Sequence, residues 1–211
     1  MPKQTFFHLA KDKQDILIHA AKQEFSRVPL HEASIANIIK SAGIPRGSFY
    51  QYFDDKEDLY FYLLNQLAQK NNERFISILV EKEGDLFATF IESFQFLIKM
   101  QRNQENQNFF KNAFLNMNYK LENTFANNVY EEHQKSQYVN TINLINRKNL
   151  NIENEQELNY LLKTMMAVTM QNLVQMFVKE WTEEEALKSY SIQIELLKRG
   201  FYKEEKNNEL P

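Results

Sequence analysis

Arg46, Gly47, Ser48, Tyr50, Gln51 and Tyr52 lie in one short run and carry groups suited to reading another molecule's polar edge. At about 100° per residue on a helix, Phe49 and Phe53 point one way. Gln51 then falls nearly opposite, flanked by Gly47 and Ser48, with Tyr50 and Tyr52 on the two shoulders. The outward face is small and polar in the middle, with a phenol on each side. Gln51 and Ser48 can hydrogen-bond base edges. Tyr50 and Tyr52 can reach flanking phosphates, which set position rather than sequence. Gly47 leaves room for close approach, and Arg46, at the helix start, can reach a phosphate or a guanine.

Two short helices must hold this face. Ile35, Ile38, Ile39 and Ala42 recur at helical spacing and give a first helix one apolar side. Ser34 can cap that helix with its hydroxyl. Gly43 suits the left-handed turn that ends it, and Pro45 can open the second helix although it cannot continue the first. Two helices joined by a glycine-containing turn form a helix-turn-helix, whose second helix enters the major groove of DNA.

The run from Ile16 to Leu59 resembles the DNA-binding domain of the TetR family of bacterial transcriptional regulators. The likeness rests on Ile16-Leu17, Ala20-Ala21 and Phe25, on Ser34-Ile35 and Ile38, on the unbroken stretch Ala42 to Phe53, and on Lys56-Glu57 and Leu59. It covers about a fifth of the chain; the remainder agrees in length and helical character only. Pro45 stands where the family usually has a serine, Pro29 where a glycine closes the first turn, and Ala33 where threonine is frequent. The resemblance implies that Ser34, Arg46, Gly47, Ser48, Tyr50, Gln51, Tyr52 and Lys56 contact DNA. Lys56 is included because the family's lysine at this position touches a phosphate.

Composition narrows the alternatives. Only 4 Gly and 4 Pro occur in 211 residues, which favours long helices over a turn-rich β fold. Cysteine is absent, so disulfides, thiolate metal sites and cysteine nucleophiles are excluded. There is no glycine-rich phosphate loop and no Gly-x-Ser-x-Gly elbow. His8, His19, His31 and His133 are scattered, with no second ligand at metal-binding spacing. We therefore expect no enzyme, no metal and no cofactor. With no apolar leader and no stretch long enough to span a bilayer, a soluble cytoplasmic protein is expected. The net charge is −3, yet residues 1–52 hold seven Lys/Arg against four Asp/Glu, a balance of +3. A locally basic head on an acidic body can bind DNA, because phosphate contacts act over about a Debye length.

The predicted architecture is all-α. An N-terminal three-helix domain with a helix-turn-helix, residues 1–55, is joined by a long helix to a helical ligand-binding and dimerisation domain, residues 56–211, with about nine helices in all. Met1 to Leu9 reads as a loose arm. Helices are expected over about 11–26, 56–81, 85–101, 120–148 and 155–181. A capping box is read at Asp54/Glu57, a second at Asn154/Glu157, and a third at Thr182/Glu185, which opens the last helix.

The two C-terminal helices read as a dimer interface through Leu162, Val174, Leu187, Tyr190, Ile194 and Leu197. Paired with a second copy they make a four-helix bundle, as the resemblance also implies. Phe87, Phe90, Phe94, Phe110, Phe114, Met117, Tyr130, Met166 and Met170, with Gln171 as a polar point, are candidates for an adaptable apolar pocket. By spacing alone such a stripe is equally the core. The resemblance implies a small effector, apolar or aromatic, whose binding releases DNA. The reading is thus a DNA-binding transcriptional regulator, a repressor acting as a homodimer on a palindromic operator. Two alternatives stay open: a DNA-binding organiser without an effector, and a helical ligand-binding adaptor that has lost DNA binding.

Overall fold

The computed structural model describes residues 2–100, 104–115 and 140–201. Among these the chain is helical with no β-strand. In chain order the helices are α1 Gln4–Phe7, α2 Lys11–Arg27, α3 Ile35–Ala42, α4 Arg46–Tyr52, α5 Lys56–Glu81, α6 Leu86–Met100 and α7 Gln104–Leu115, followed by α8 Glu155–Val178 and α9 Glu183–Phe201. The chain divides into two compact units. One is Met1–Asn72 with Lys99–Lys135, and the other is Glu73–Ile98 with Ser136–Pro211. The start of α5 and all of α7 thus belong with the helix-turn-helix.

In the first unit, Leu17, Ala20, Ala21 and Phe25 form the buried stripe of α2. They share one core with Ile38 and Ala42 of α3, Phe49 of α4, Phe53, and Leu59, Tyr60 and Leu63 of α5. Phe109 and Ala113 of α7 join the same core. The Tyr60 ring meets Phe25 at 4.9 Å and Phe109 at 5.7 Å between centroids. α7 lies along α2, where Asn112 Nδ2 donates to the Phe25 and Ser26 carbonyls at 2.9 and 3.2 Å. Those carbonyls lie in the last turn of α2, which no longer offers them helical partners.

The expectation of a loose arm over residues 1–9 is overturned. Residues 4–7 form a helical turn, and Phe6 is completely buried. Four residues are too few to show a helical period. Distant aromatic rings hold them in place instead: Phe6 lies 5.0 Å from Phe53 and 5.4 Å from Tyr62.

The helix ends follow local chemistry, with two corrections. Gly43 takes φ +65 and ends α3, with Ile44 N–H donating back to Ile39 O at 3.1 Å. The Ser34 hydroxyl makes no capping bond; its backbone N–H instead donates to the Glu24 carboxylate at 2.8 Å. The cap of α5 lies one residue later than Asp54/Glu57. Asp58 N–H donates to Asp55 Oδ1 at 2.7 Å, and Asp54 N–H to Asp58 Oδ2 at 3.2 Å. The shift follows from the helix beginning at Lys56, which makes Asp55 the flanking residue. Both remaining boxes pair the residues as read, Asn154/Glu157 with the Glu157 carboxylate accepting from Glu153 N–H and Asn154 Nδ2, and Thr182/Glu185 reciprocally. At the second, the backbone N–H and hydroxyl of Thr182 hold the Glu185 carboxyl below its ordinary range.

The second unit buries Ile78 and Leu79, Phe87, Phe90, Phe94 and Ile98, Leu158, Leu161 and Met165, and Leu173 and Phe177. Phe94 stacks on Tyr190 at 4.0 Å, and Phe75 meets Phe90 edge-on at 5.1 Å. The Tyr190 and Thr169 hydroxyls pair at 2.7 Å, and Asn172 and Gln193 exchange amide hydrogen bonds between α8 and α9. The polar groups of Thr169, Tyr190, Asn172 and Gln193 are thus matched inside an apolar layer. Gly84, between α5 and α6, takes φ +82, and a Cβ there would lie 2.5 Å from Leu144 O. Glycine is required at that crossing on both counts. Of the helix expected over 120–148, residues 116–139 lie outside the described residues; 140–144 are helical, and the chain turns from Ile145.

Candidate nucleic-acid interface

α4 has seven residues, too few to be stable alone, so its neighbours fix it. Pro45 enters it in an extended conformation with φ −63, and Phe49 and the following Phe53 are fully buried. The 100° repeat then turns Arg46, Gly47, Tyr50 and Gln51 outward, all exposed, and leaves Ser48 and Tyr52 half-buried. Gly47, Tyr50 and Gln51 face outward as the spacing predicted, whereas Ser48 and Tyr52 are less open than it implied. Tyr52 is partly covered because its ring faces Phe6 at 6.4 Å. A Cβ built on Gly47 would meet nothing within 4 Å. No packing inside the protein calls for glycine there, so the open space is available to a partner. Lys40, in the last turn of α3, is exposed as well.

Glu24 locks this head together. Its carboxylate accepts from Arg27 Nε and Nη2 at 2.9 and 2.8 Å, from Ser34 N–H at 2.8 Å and from Asn37 Nδ2 at 3.0 Å. It thereby joins the end of α2 to the start of α3. Burial by itself raises this carboxyl, but hydrogen bonds from Arg27, Ser34 and Asn37, with the charge of Arg27, outweigh it and hold the pKa below its ordinary value. The available signal was a carboxylate at helical spacing within an apolar stripe: Leu17, Ala20, Ala21 and Glu24.

Two residues assigned to DNA have partners within the protein. Lys56 Nζ donates to the His31 and Ala33 carbonyls, both at 2.9 Å, and so fastens the α2–α3 connection to the start of α5. Ser34 is half-buried at the start of α3, with its N–H on Glu24. Both support the helix that presents Arg46, Tyr50 and Gln51.

The candidate pocket residues are distributed over both units. Phe87, Phe90 and Phe94 are buried in the second unit, whereas Phe110 belongs to the first. Met166 and Gln171 lie on the exposed side of α8, and Met170 is half-buried. Met117 and Tyr130 lie outside the described residues, as does the side chain of Phe114.

Of the residues read as a dimer face, Tyr190 and Ile194 are fully buried in the chain's own core. This corrects their assignment: the apolar stripe of α9 faces inward, as an amphipathic helix must when it covers a core. Leu162, Val174, Leu187 and Leu197 are half-buried. The apolar side chains left more than half exposed on these helices are Tyr160, Met166 and Val178 on α8, and Ile192 and Leu196 on α9.

Among the described residues, no group of three or more His, Asp or Glu is placed to hold a metal ion. No helix among them is long and apolar enough to cross a membrane.

Comparison with known proteins gives the same outline. Residues 17–63 match the family model described as bacterial regulatory proteins, tetR family. Residues 85–201 match that of the Tetracyclin repressor-like C-terminal domain. The uncharacterized regulator YdgC of Bacillus subtilis is 35% identical over 65 residues, which is 31% of this chain and 33% of that protein. The chain therefore matches only about a third of the length of this curated relative. SmeT, the repressor of the Stenotrophomonas maltophilia multidrug efflux pump SmeDEF, superposes with TM-score 0.63 at 13% identity, covering 94% of this chain and 93% of SmeT. The Bacillus subtilis regulator FadR, solved in complex with stearoyl-CoA, gives 0.61 at 13% identity over 87% of this chain and 96% of FadR. At such identities the structures speak for the fold alone. The second family model spans more than half of the sequence and the first covers the helix-turn-helix, so the chain belongs to the TetR family of bacterial transcriptional regulators.

Proposed function

We propose that this DNA-binding regulator is a repressor that grips a palindromic operator as a homodimer and releases it when a small, largely apolar effector occupies its C-terminal unit. One observation carries the DNA reading: the outward face of α4, where Arg46, Tyr50 and Gln51 flank a glycine with open space above it. Gln51 reads a base edge, and Tyr50 and Arg46 position the helix on the backbone.

The dimer is supported by Tyr160, Met166, Val178, Ile192 and Leu196, which are more than half exposed. Large apolar side chains gathered on two helices mark a surface that another chain covers. Two-fold symmetry then presents two copies of α4 to successive major grooves. An effector is supported by the aromatic core of the second unit, where the Thr169–Tyr190 hydroxyl pair lies beside Phe94. SmeT and FadR, one a repressor and the other solved with an acyl-CoA, are consistent with that mode of action. Release requires that the effector favour a conformation in which the two α4 helices no longer match the operator.

The test is selection of genomic fragments from the source organism on purified protein at near-physiological salt, read by sequencing. The expected result is one enriched inverted repeat whose half-sites lie about one helical turn apart. Folded protein that enriches no sequence overturns the operator reading.

A further inference from the structure

The last four carbonyls of a helix lack partners within it. In α4 they belong to Phe49, Tyr50, Gln51 and Tyr52. Phe53 N–H donates to Phe49 O at 3.0 Å. The other three are met by the segment that precedes α2. Lys3 Nζ donates to Tyr50 O at 2.9 Å, the Thr5 hydroxyl donates to Gln51 O, and Lys3 N–H donates to Tyr52 O at 2.8 Å. Every terminal carbonyl of α4 is therefore satisfied, and the two side-chain donors lie 47 and 46 residues away in sequence.

Three further contacts hold the segment down. The Lys3 ammonium pairs with Asp54 at 2.8 Å, just beyond the helix, where a cation also complements the negative end of the helix dipole. Phe6 is buried against Phe53, Tyr62 and Tyr52. Pro2 is buried as well. The whole segment precedes residue 17, where the match to the family's DNA-binding model begins.

We propose that Lys3, Thr5 and Phe6 are positioning residues for DNA reading: they form a clasp that closes the C-terminal end of α4 and fixes the orientation of Tyr50, Gln51 and Tyr52. Without it, three carbonyls of a seven-residue helix would turn to water and its last turn would fray. Lys3 acts through the helix rather than on a phosphate, since its ammonium already faces Tyr50 O and the Asp54 carboxylate. The effect on DNA rests on α4 being the base-reading helix; the clasp itself does not.

The test uses the full chain with Thr5→Val, which removes the hydroxyl at nearly constant shape, Thr5→Ser, which restores it, and Lys3→Met. The first readout is amide hydrogen exchange without DNA. Residues 50–53 are expected to exchange roughly fivefold faster in Thr5→Val and Lys3→Met, about the effect of one net hydrogen bond. Thr5→Ser stays at the wild-type rate, and α8 and α9 do not change. Unchanged exchange at residues 50–53 in both variants overturns the clasp.

The second readout is affinity for the selected operator and for a scrambled duplex across a salt series. The clasp predicts a loss of roughly fivefold on the operator alone, with the salt dependence preserved. If Lys3→Met instead weakens both duplexes equally and lowers the log–log salt slope by about 0.9 per protomer, Lys3 is a phosphate contact and its positioning role is overturned. If the wild-type protein shows no sequence preference, the DNA reading fails on its own, and the exchange result still decides the clasp.

Discussion

Gly47→Ala separates what the fold needs from what DNA needs. Gly47 lies in the first turn of α4 at negative φ, and an added Cβ meets nothing within 4 Å. The substitution has no steric cost inside the protein. What remains is backbone propensity, which favours alanine in a helix by about 0.5–1 kcal/mol. For a chain of this size that raises the melting temperature by about 1–4 °C. The same methyl stands on the face between Tyr50 and Gln51 and the groove. If the backbone at residue 47 approaches the bases, the methyl overpacks the interface and costs about 1–3 kcal/mol, roughly 5- to 150-fold in operator affinity. Circular dichroism melts and fluorescence anisotropy on the operator measure the two quantities separately. A more stable protein that binds less DNA is the expected pair. Unchanged affinity with raised stability refutes the close approach, and a fall in stability refutes the open geometry around Gly47.

Three further outcomes follow from the same geometry. Gln51→Ala should flatten base preference at one position per half-site, by about 1–3 kcal/mol of discrimination, whereas Tyr50→Phe should weaken all sequences alike; equal loss on every sequence for Gln51→Ala refutes its role. Glu24→Gln should destabilise the head by about 1.5–3 kcal/mol in urea unfolding, because a buried carboxylate with four hydrogen bonds loses its charge. The Glu24 carboxyl has a folded pKa below its unfolded value of 4.5, so its contribution is fully present above that pH and is lost as pH falls through the folded pKa. The wild-type stability should therefore drop below pH 4.5 more steeply than that of Glu24→Gln, and parallel pH curves would refute the assignment. Leu196→Glu, on the exposed side of α9, should give monomers in sedimentation with helicity intact, whereas Ile194→Glu should unfold the second unit because Ile194 is buried there.

The primary sequence determined most of the features that depend on neighbours in the chain, the Ser34 cap and the exact start of α5 excepted. Gly43-Ile44-Pro45 ended one helix and opened the next, because a left-handed residue and a proline act within a turn. The 100° repeat put Phe49 and Phe53 inward and Gln51 outward, and local carboxylates capped α8 and α9. The features that tertiary structure decided are those in which the partner is remote. The arm over residues 2–8 has no periodicity, and it is ordered only because three carbonyls and an aromatic cluster about 50 residues on are waiting for it. The sequence offers Lys56 as a phosphate ligand; only the fold shows that its ammonium also donates to the turn carbonyls of His31 and Ala33, both at 2.9 Å. Tyr190 and Ile194 share a stripe that fits a core and a dimer face equally well. Periodicity reports which side of a helix is apolar, but only the packing of α9 shows that this side is covered by the chain itself, with Ile192 and Leu196 left exposed.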